Sequence, residues 1–242
     1  MKWLESLVEE AQTNLSDREV EALWTRGVSG DQIEIYQLGY LDQRLPKGEY
    51  PEHFLNWWKK QSRDDVFVLP LTNTLGHVRG IQLRHVALER KGYTDYIADR
   101  EEPVLFGLSQ AMPFVWKSET ICLVEGVFDL LPLQRHIPSI VSTLHAGIPG
   151  NFLRTLLRMA RQIDLAYDGD FQGQKVAFDL AREHADRFRF RILRIPKVPF
   201  RGRHTKDPNE LWEAWGDKRL GPYLQSDTSW KCSIRCPPRM RG

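Results

Sequence analysis

The spacing of apolar residues changes near residue 119, so the two halves of the chain predict different structures. The first half predicts helices at about 2–12 and 16–24 and strands at about 66–71 and 77–86. The connection over 87–118 predicts loops with one short helix near 107–112. This half is therefore expected to form an α+β subdomain over residues 1–118.

After residue 119, short apolar runs alternate with amphipathic segments. The apolar runs predict four strands, at 121–124, 139–143, 163–167 and 190–195. The segments between them predict three helices, at 127–136, 151–162 and 173–188. This alternation is typical of βα units and of a mostly parallel sheet, so the predicted fold class is α/β. Residues 119–200 are expected to form the parallel-sheet domain, 201–221 a short helical segment packed on it, and 222–242 a flexible tail.

The composition is that of an ordinary globular protein of 242 residues, with 41% apolar and 27% charged residues. It excludes wholesale disorder, and the lack of any run of about 18 apolar residues argues against a membrane bundle. The acidic, amphipathic start of the sequence does not resemble a signal peptide. Three cysteines are too few for a disulfide framework. A cytoplasmic location without membrane attachment is therefore expected.

The net charge of +2 hides an uneven distribution of charged residues. Residues 182–206 contain nine Arg or Lys side chains and only two acidic ones, Glu183 and Asp186. A local basic block can bind phosphates even when the whole chain is nearly neutral. This segment is therefore a candidate track for a nucleic-acid template, although a solvated surface would give the same pattern.

Five acidic residues follow strands of the predicted parallel sheet. Glu125 comes directly after the first strand with Asp129 four residues later, Asp168 and Asp170 follow the third strand, and Asp207 follows the basic block. Open α/β sheets bind ligands outside the carboxyl ends of their strands. Carboxylates brought together there suit Mg²⁺ or Mn²⁺, and two such ions align groups for phosphoryl displacement. From the residues alone, these carboxylates could equally cap the helices that follow.

Three motifs around these carboxylates resemble the TOPRIM fold, which primases, type IA and II topoisomerases and some nucleases share. Residues 124–129 (VEGVFD) are similar to the VEGxxD motif of bacterial and phage DnaG-type primases. Residues 167–173 (YDGDFQG) resemble their YDGDxAG motif, with Gln172 where alanine is usual, and residues 206–211 (KDPNEL) resemble their DPDxL motif.

The resemblance to DnaG-type primases extends upstream of the TOPRIM motifs. Residues 26–40 resemble the start of the primase RNA-polymerase core, and residues 105–108 (LFGL) resemble its LYGL segment. Residues 70–84 resemble its basic-lobe hairpin, PIxDxxGxVxGxxxR, with Arg84 at the final arginine. The motifs follow one another in the family's order across roughly residues 16–215.

The resemblance implies a DNA primase, an enzyme that makes short RNA primers on a single-stranded DNA template. It implies catalytic roles for Glu125, Asp168 and Asp170, and these three together with Asp129 and Asp207 would hold Mg²⁺ or Mn²⁺. Seven basic residues are expected to bind nucleotide or template: Arg79, Arg84, Lys91, Lys175, Arg201, Arg203 and Lys206. For Arg79 and Arg84, a solvated face of the hairpin is the alternative.

The sequence departs from the family pattern in three respects. Neither a Cys/His zinc ribbon nor a helicase-binding domain is found, which predicts help from a replicative helicase or a separate zinc-binding initiation factor, and a phage or mobile-element origin. His145 stands in a segment that replaces the usual Leu-Gly-Thr, and either a nucleotide contact or a packed histidine would explain it. Cys232 and Cys236 are too sparse for a zinc site.

Two other functions remain open from the sequence. A TOPRIM nuclease needs the same carboxylates and metals but hydrolyses its substrate, and the primase-like upstream half argues against it. A replication accessory protein that only binds single-stranded DNA would not need Glu125, Asp168 and Asp170 intact. The preference between NTPs and dNTPs is not predictable from these motifs.

Overall fold

The computed structural model describes residues 2–42, 45, 48–61, 65–85, 92–99, 102–145 and 147–233. The chain forms two compact units, Met1–Phe106 and Gly107–Gly242. The sequence places the boundary after residue 118, whereas the structure divides the chain before the helix Leu108–Ser118. This helix belongs to the second unit because it packs on two strands of that unit's sheet.

The first unit is built on a four-stranded antiparallel sheet. Its described helices are α1 (Lys2–Thr13), α2 (Asp17–Trp24), α3 (Gly30–Ile35) and α4 (Glu52–Trp58). Its described strands are β1 (Gly39–Leu41), β2 (Val66–Thr72), β3 (Val78–His85) and β4 (Tyr93–Ile97), in the sheet order β1-β2-β3-β4. The two predicted helices and the predicted hairpin are therefore confirmed.

The core of the first unit lies between α1 and the sheet. Leu4, Leu7 and Ala11 of α1 are fully buried and pack in one cluster with Phe54 of α4 and apolar residues of β2 and β3. Every residue of β2 is buried. Strands β1 and β4 were not predicted, and β4 shows no clear alternation because Tyr96 is its single buried residue. Part of the segment expected to be loops is thus the edge of the sheet.

The second unit alternates strands and helices, as predicted. Its described helices are α5 (Leu108–Ser118), α6 (Val127–Gln134), α7 (Gly150–Met159), α8 (Phe171–Glu183), α9 (Pro208–Trp215) and α10 (Asp217–Gln225). Its described strands are β5 (Thr120–Val124), β6 (Ile140–Ser142), β7 (Gln162–Leu165), β8 (Arg189–Leu193), β9 (Pro199–Phe200), β10 (Arg203–His204) and β11 (Trp230–Ser233). None of the helices in the described ranges combines the length and apolar character needed to cross a bilayer.

The main sheet of the second unit has the strand order β11-β8-β7-β5-β6. Strands β5 to β8 pair with one another in parallel, which confirms the α/β class and the mostly parallel sheet. The short pair β9 and β10 forms a separate hairpin. Because β5 and β7 are adjacent, the residues that follow them meet at one edge of the sheet.

The predicted flexible tail is structured over much of its length. Residues 222–225 complete α10, and β11 pairs antiparallel with β8, covering what would otherwise be an open sheet edge. The Trp230 indole donates a hydrogen bond to the Leu224 carbonyl at 2.9 Å and is largely buried. Residues 234–242 of the predicted tail lie outside the described residues.

An ion pair between a buried carboxylate and a partly exposed arginine links β7 to β8. Asp164 is 3% exposed, and Arg191 binds it through two hydrogen bonds, one of them from Nε at 2.8 Å. The guanidinium also lies 4.9 Å from the Trp230 ring centroid, so it connects three elements. Residue 191 therefore holds together the outer part of the sheet.

We expect Arg191→Met to lower the free energy of unfolding by about 2–3 kcal/mol, because it leaves a buried carboxylate without its cation. Chemical denaturation of the whole chain measures this. Arg189→Met on the same strand is the matched control, since Arg189 is exposed and its loss is expected to be neutral. Equal stabilities for the two variants would contradict the role assigned to the Asp164–Arg191 pair.

Candidate active site

The acidic residues predicted from the sequence gather at one edge of the second unit's sheet. Glu125 follows β5, and Asp168 lies three residues beyond β7, the strand that pairs with β5 in parallel. The charge of Glu125 raises the pKa of Asp168, and the charge of Asp168 raises the pKa of Asp129 at the same edge. Adjacent parallel strands therefore bring together side chains that are far apart in the sequence.

The turn after β7 is held by backbone contacts. The Gly169 N–H donates to the Lys206 carbonyl at 2.5 Å, and a side chain at 169 would meet Ile195 at 2.7 Å. Asp170 is exposed and caps α8, where its carboxylate accepts the Gly173 N–H at 2.9 Å. The Gln174 amide donates to the Asp168 carbonyl at 3.2 Å. The backbone around Asp168 is thus fixed on both sides.

Gly173 leaves just enough space for Asp168. A Cβ atom at 173 would lie 2.5 Å from the Asp168 carbonyl oxygen and 2.8 Å from the Asp168 Cβ atom. We expect Gly173→Ala to displace Asp168 and to destabilise the fold by about 1–3 kcal/mol. Thermal unfolding measures the cost, with Gly150→Ala as control, because a Cβ atom at 150 meets nothing within 4 Å. A Gly173→Ala variant as stable as Gly150→Ala would contradict this packing.

Asp129 and Asp207 extend the acidic cluster on its α6 and α9 side. Asp129 lies in the first turn of α6, and its Oδ1 accepts the Asn209 N–H of α9 at 3.3 Å. Asp207 caps α9 and accepts the Glu210 N–H at 2.8 Å. A Cβ atom at Gly126 would lie 2.7 Å from Asp129 Oδ2, so a larger residue there would require the Asp129 carboxylate to move. Capping is therefore one role of Asp207, but it does not account for the whole set.

Lys206 lies beside these carboxylates. Its Nζ lies 3.8 Å from Asp168 Oδ2 and 3.6 Å from Asp207 Oδ2. Burial lowers the pKa of Lys206, but the charges of Asp168 and Asp207 outweigh it and raise the pKa above its ordinary value. Lys206 therefore stays protonated and offsets part of the negative charge.

The carboxyl groups remain under electrostatic strain despite Lys206. Burial, and then the charges of Glu125 and Asp207, raise the pKa of Asp168 to about 7. Burial raises the pKa of Glu125, opposed by a backbone hydrogen bond from Asp168. Burial and the charge of Asp207 raise the pKa of Asp129 well above its ordinary range. Each charged form is disfavoured here, so the cluster attracts cations.

The cluster fits a hard divalent cation. Glu125 Oε1 is buried without a hydrogen-bond partner, which leaves an oxygen available as a ligand. Within the described ranges, no three Asp, Glu, His or Cys side chains already face one common point at ligand distance. Mg²⁺ does not require that, because it keeps several waters and binds proteins through one or two carboxylates. The predicted ligands Glu125, Asp168 and Asp170 all lie in this cluster, with Asp129 and Asp207 beside them.

The predicted nucleotide-binding residues of the first unit lie on the β2–β3 hairpin. Arg79 is half-buried, and its guanidinium contacts the Val78 carbonyl at 3.4 Å. Arg84 is only 9% exposed, stacks on Tyr93 with its guanidinium carbon 4.3 Å from the ring centroid, and has a buried Nε without a partner. Lys91 lies outside the described residues. Arg84 is therefore not on a solvated hairpin face.

Two of the predicted basic residues of the second unit are engaged with acidic side chains. Arg203 makes two hydrogen bonds to Glu210, and Arg201 donates to Glu213 at 2.7 Å. Glu210 also accepts the Lys206 N–H at 2.9 Å, so it organises the loop that precedes Asp207. This residue was missed by the sequence analysis, although a Glu three residues after a helix cap is a recognisable signal. The basic block is thus less available for a template than its composition predicts.

The structure describes three of the four remaining positions that the sequence analysis singled out. Lys175 is exposed on α8. His145 is exposed, so it is not a packed histidine, and its carbonyl accepts the Thr143 hydroxyl at 2.6 Å. Cys232 lies in β11, opposite Arg191, and Cys236 lies outside the described residues.

Comparison with known proteins identifies what this architecture resembles. A family model described as Toprim-like matches residues 122–212. The DNA primase of Lactococcus lactis is 25% identical over 239 residues, which cover 88% of this chain and 36% of that protein.

Solved primase structures share the fold of the chain. A DNA primase domain from Pseudomonas aeruginosa aligns with a TM-score of 0.72 and 19% identity, covering 96% of this chain and 79% of that one. A DnaG primase catalytic domain bound to single-stranded DNA aligns with a TM-score of 0.70 and 18% identity, covering 93% and 77%.

These comparisons confirm the resemblance to the catalytic core of DnaG-type primases. The chain has the fold of that core, and the Toprim-like match includes the strand before Glu125, the Asp168–Asp170 turn and Asp207. The chain spans only about a third of the length of the Lactococcus lactis primase.

Proposed function

We propose that this chain is the catalytic core of a DNA primase, which joins nucleotides into short RNA primers on a single-stranded DNA template. The observation that carries the proposal is the acidic cluster at the β5–β7 edge, in which Glu125 Oε1 is buried without a partner. The relatives named DNA primase and the shared primase fold support the same activity. The structural neighbour bound to single-stranded DNA supports that template as the partner.

In the proposed reaction, a primer 3′-hydroxyl attacks the α-phosphate of an incoming nucleotide and pyrophosphate leaves. Mg²⁺ or Mn²⁺ bound at Glu125, Asp168 and Asp170 would supply positive charge for the phosphates and the leaving group. The chain itself fixes Asp168 and Asp170 through the Gly169 and Gly173 backbone contacts, so little reorganisation of these two residues is needed when substrate binds.

Basic side chains would supply the rest of the substrate recognition. Lys206, already protonated beside Asp168, is suited to contact a phosphate group once the carboxylates are neutralised. Arg84 offers a buried Nε donor without a partner, and Arg79 lies on the same strand; both are proposed to bind triphosphate or template backbone. NTPs, or dNTPs, are the proposed substrates.

Further properties of the proposed primase rest on the sequence. A replicative helicase or a separate zinc-binding initiation factor is the proposed partner for starting primers. A cytoplasmic location and a phage or mobile-element origin are likewise proposals.

Synthesis on two single-stranded DNA templates of different sequence tests the proposed function. The purified chain is incubated with a preformed primer annealed to each template, labelled NTPs or dNTPs and Mg²⁺ or Mn²⁺, and the products are sequenced. Products complementary to each template are expected. Metal-dependent cutting of the template without synthesis would instead identify a TOPRIM nuclease.

A further inference from the structure

One face of α8 exposes an alternating series of aromatic and basic side chains. The spacings between its four members are four, three and four residues, so all lie on one side of the helix. The members are Phe171, Lys175, Phe178 and Arg182. Phe171 is 84% exposed and Phe178 is 43% exposed. We call these four residues the α8 stripe.

The α8 stripe begins at the acidic cluster. Phe171 directly follows Asp170, whose carboxylate caps α8 and whose charge raises the pKa of Glu125. From there the stripe extends along the helix for about 16 Å, at 1.5 Å per residue. Lys231 of β11 lies beside the C-terminal half of the stripe, with its Nζ 5.6 Å from the Phe178 ring centroid. The stripe therefore leads away from the carboxylates along a surface of mixed aromatic and positive character.

The chemistry of the stripe matches single-stranded nucleic acid. Such strands bind where bases stack on aromatic rings while nearby cations contact the phosphates. Leaving Phe171 in water gains nothing for the fold, because an exposed side chain forfeits the free energy of burial. Asp179 lies close to the stripe and contacts Arg182 at 3.5 Å, so Lys175 and Lys231 are the less engaged cations.

We propose that the α8 stripe binds single-stranded DNA, with Phe171 and Phe178 stacking on bases and Lys175 and Lys231 contacting phosphates. This inference rests on the proposed function and assigns the template a path that begins beside Asp170. A protein partner fits the stripe less well, because lysine is depleted from the centre of protein interfaces and Lys175 lies between the two rings.

The test measures the Kd for a labelled oligothymidylate by fluorescence anisotropy as a function of salt, using the whole chain. The double variant Phe171→Leu/Phe178→Leu keeps apolar helix formers but removes the rings, so its Kd is expected to rise about tenfold or more. Its salt dependence should not change. Lys175→Gln should instead lower the slope of log K against log salt by about 0.7, the value for one phosphate contact on a single strand.

Two controls separate the stripe from general surface effects. Trp116→Leu removes another exposed aromatic ring of the same unit, and Lys218→Gln removes another exposed lysine. Both are expected to bind DNA like the wild type. Unchanged affinity in the double variant overturns the proposal, and an altered oligomeric state with unchanged DNA affinity would assign the stripe to protein contacts instead.

Primer extension distinguishes failure of this inference from failure of the proposed function. The double variant should show a raised KM for template with an unchanged kcat, because the stripe binds without taking part in the chemistry. Extension by the wild type together with normal DNA binding by the double variant would reject the stripe and leave the primase intact. A wild type that neither binds DNA nor extends primers would reject both.

Discussion

Glu125→Gln is expected to abolish nucleotide incorporation while the fold survives. The substitution keeps the shape of the side chain but removes the charge of the buried carboxylate whose Oε1 has no hydrogen-bond partner. We expect kcat to fall by at least about 100-fold, because changes to residues that merely support a metal ligand already cost 10–100-fold. Single-nucleotide incorporation on a primed template measures the loss, and thermal unfolding verifies the fold.

The control for this prediction is Glu119→Gln. Glu119 is exposed at the end of α5 and pairs with Arg161 at the surface, so its charge should not affect incorporation. Substantial activity in Glu125→Gln, with Glu119→Gln also active, would remove Glu125 from the proposed reaction.

Asp168→Asn is expected to change stability in opposite directions with and without metal. Without metal, the charged Asp168 destabilises the fold, since burial and then its acidic neighbours raise its pKa to about 7. Removing that charge at pH 8 should raise Tm by about 2–4 °C, which corresponds to about 1 kcal/mol in a chain of this size. With Mg²⁺ at about 100 times its Kd, the wild type should gain about 2.7 kcal/mol, and the variant much less.

Differential scanning calorimetry with EDTA and with Mg²⁺ measures both effects on the full chain. Asp227→Asn, an exposed change in the same unit, should leave both values as in the wild type. A variant that Mg²⁺ stabilises as strongly as the wild type would show that Asp168 does not hold the ion. A metal-free variant less stable than the wild type would contradict the repulsion ascribed to the cluster.

The placement of the acidic cluster could be predicted from the sequence because two regularities determine it. Apolar runs alternating with helices indicate parallel strands, and parallel neighbours bring their following residues to one edge. The placement of Glu125 and Asp168 at this edge follows from these two regularities alone. The cap at Asp207 was recognisable as well, since Asp-Pro at a helix start is a common signal.

Long-range pairing limited what the sequence could reveal. Strand β11 was missed because its partner, β8, lies far away in the sequence and its residues follow a polar, proline-containing segment. Strand β4 was missed because a sheet edge with one buried residue has no alternating pattern. The neutralisation of Arg203 by Glu210 depends on the β9–β10 hairpin bringing the arginine onto α9, which composition does not indicate.

The most direct test of the account is single-nucleotide extension of a preformed primer on a DNA template, comparing the wild type with Asp168→Ala. A preformed primer removes the initiation step and any need for a partner protein. The account predicts that the wild type adds the nucleotide complementary to the template in the presence of Mg²⁺ or Mn²⁺ and that Asp168→Ala adds none. No extension by the wild type, or equal extension by both, would contradict it.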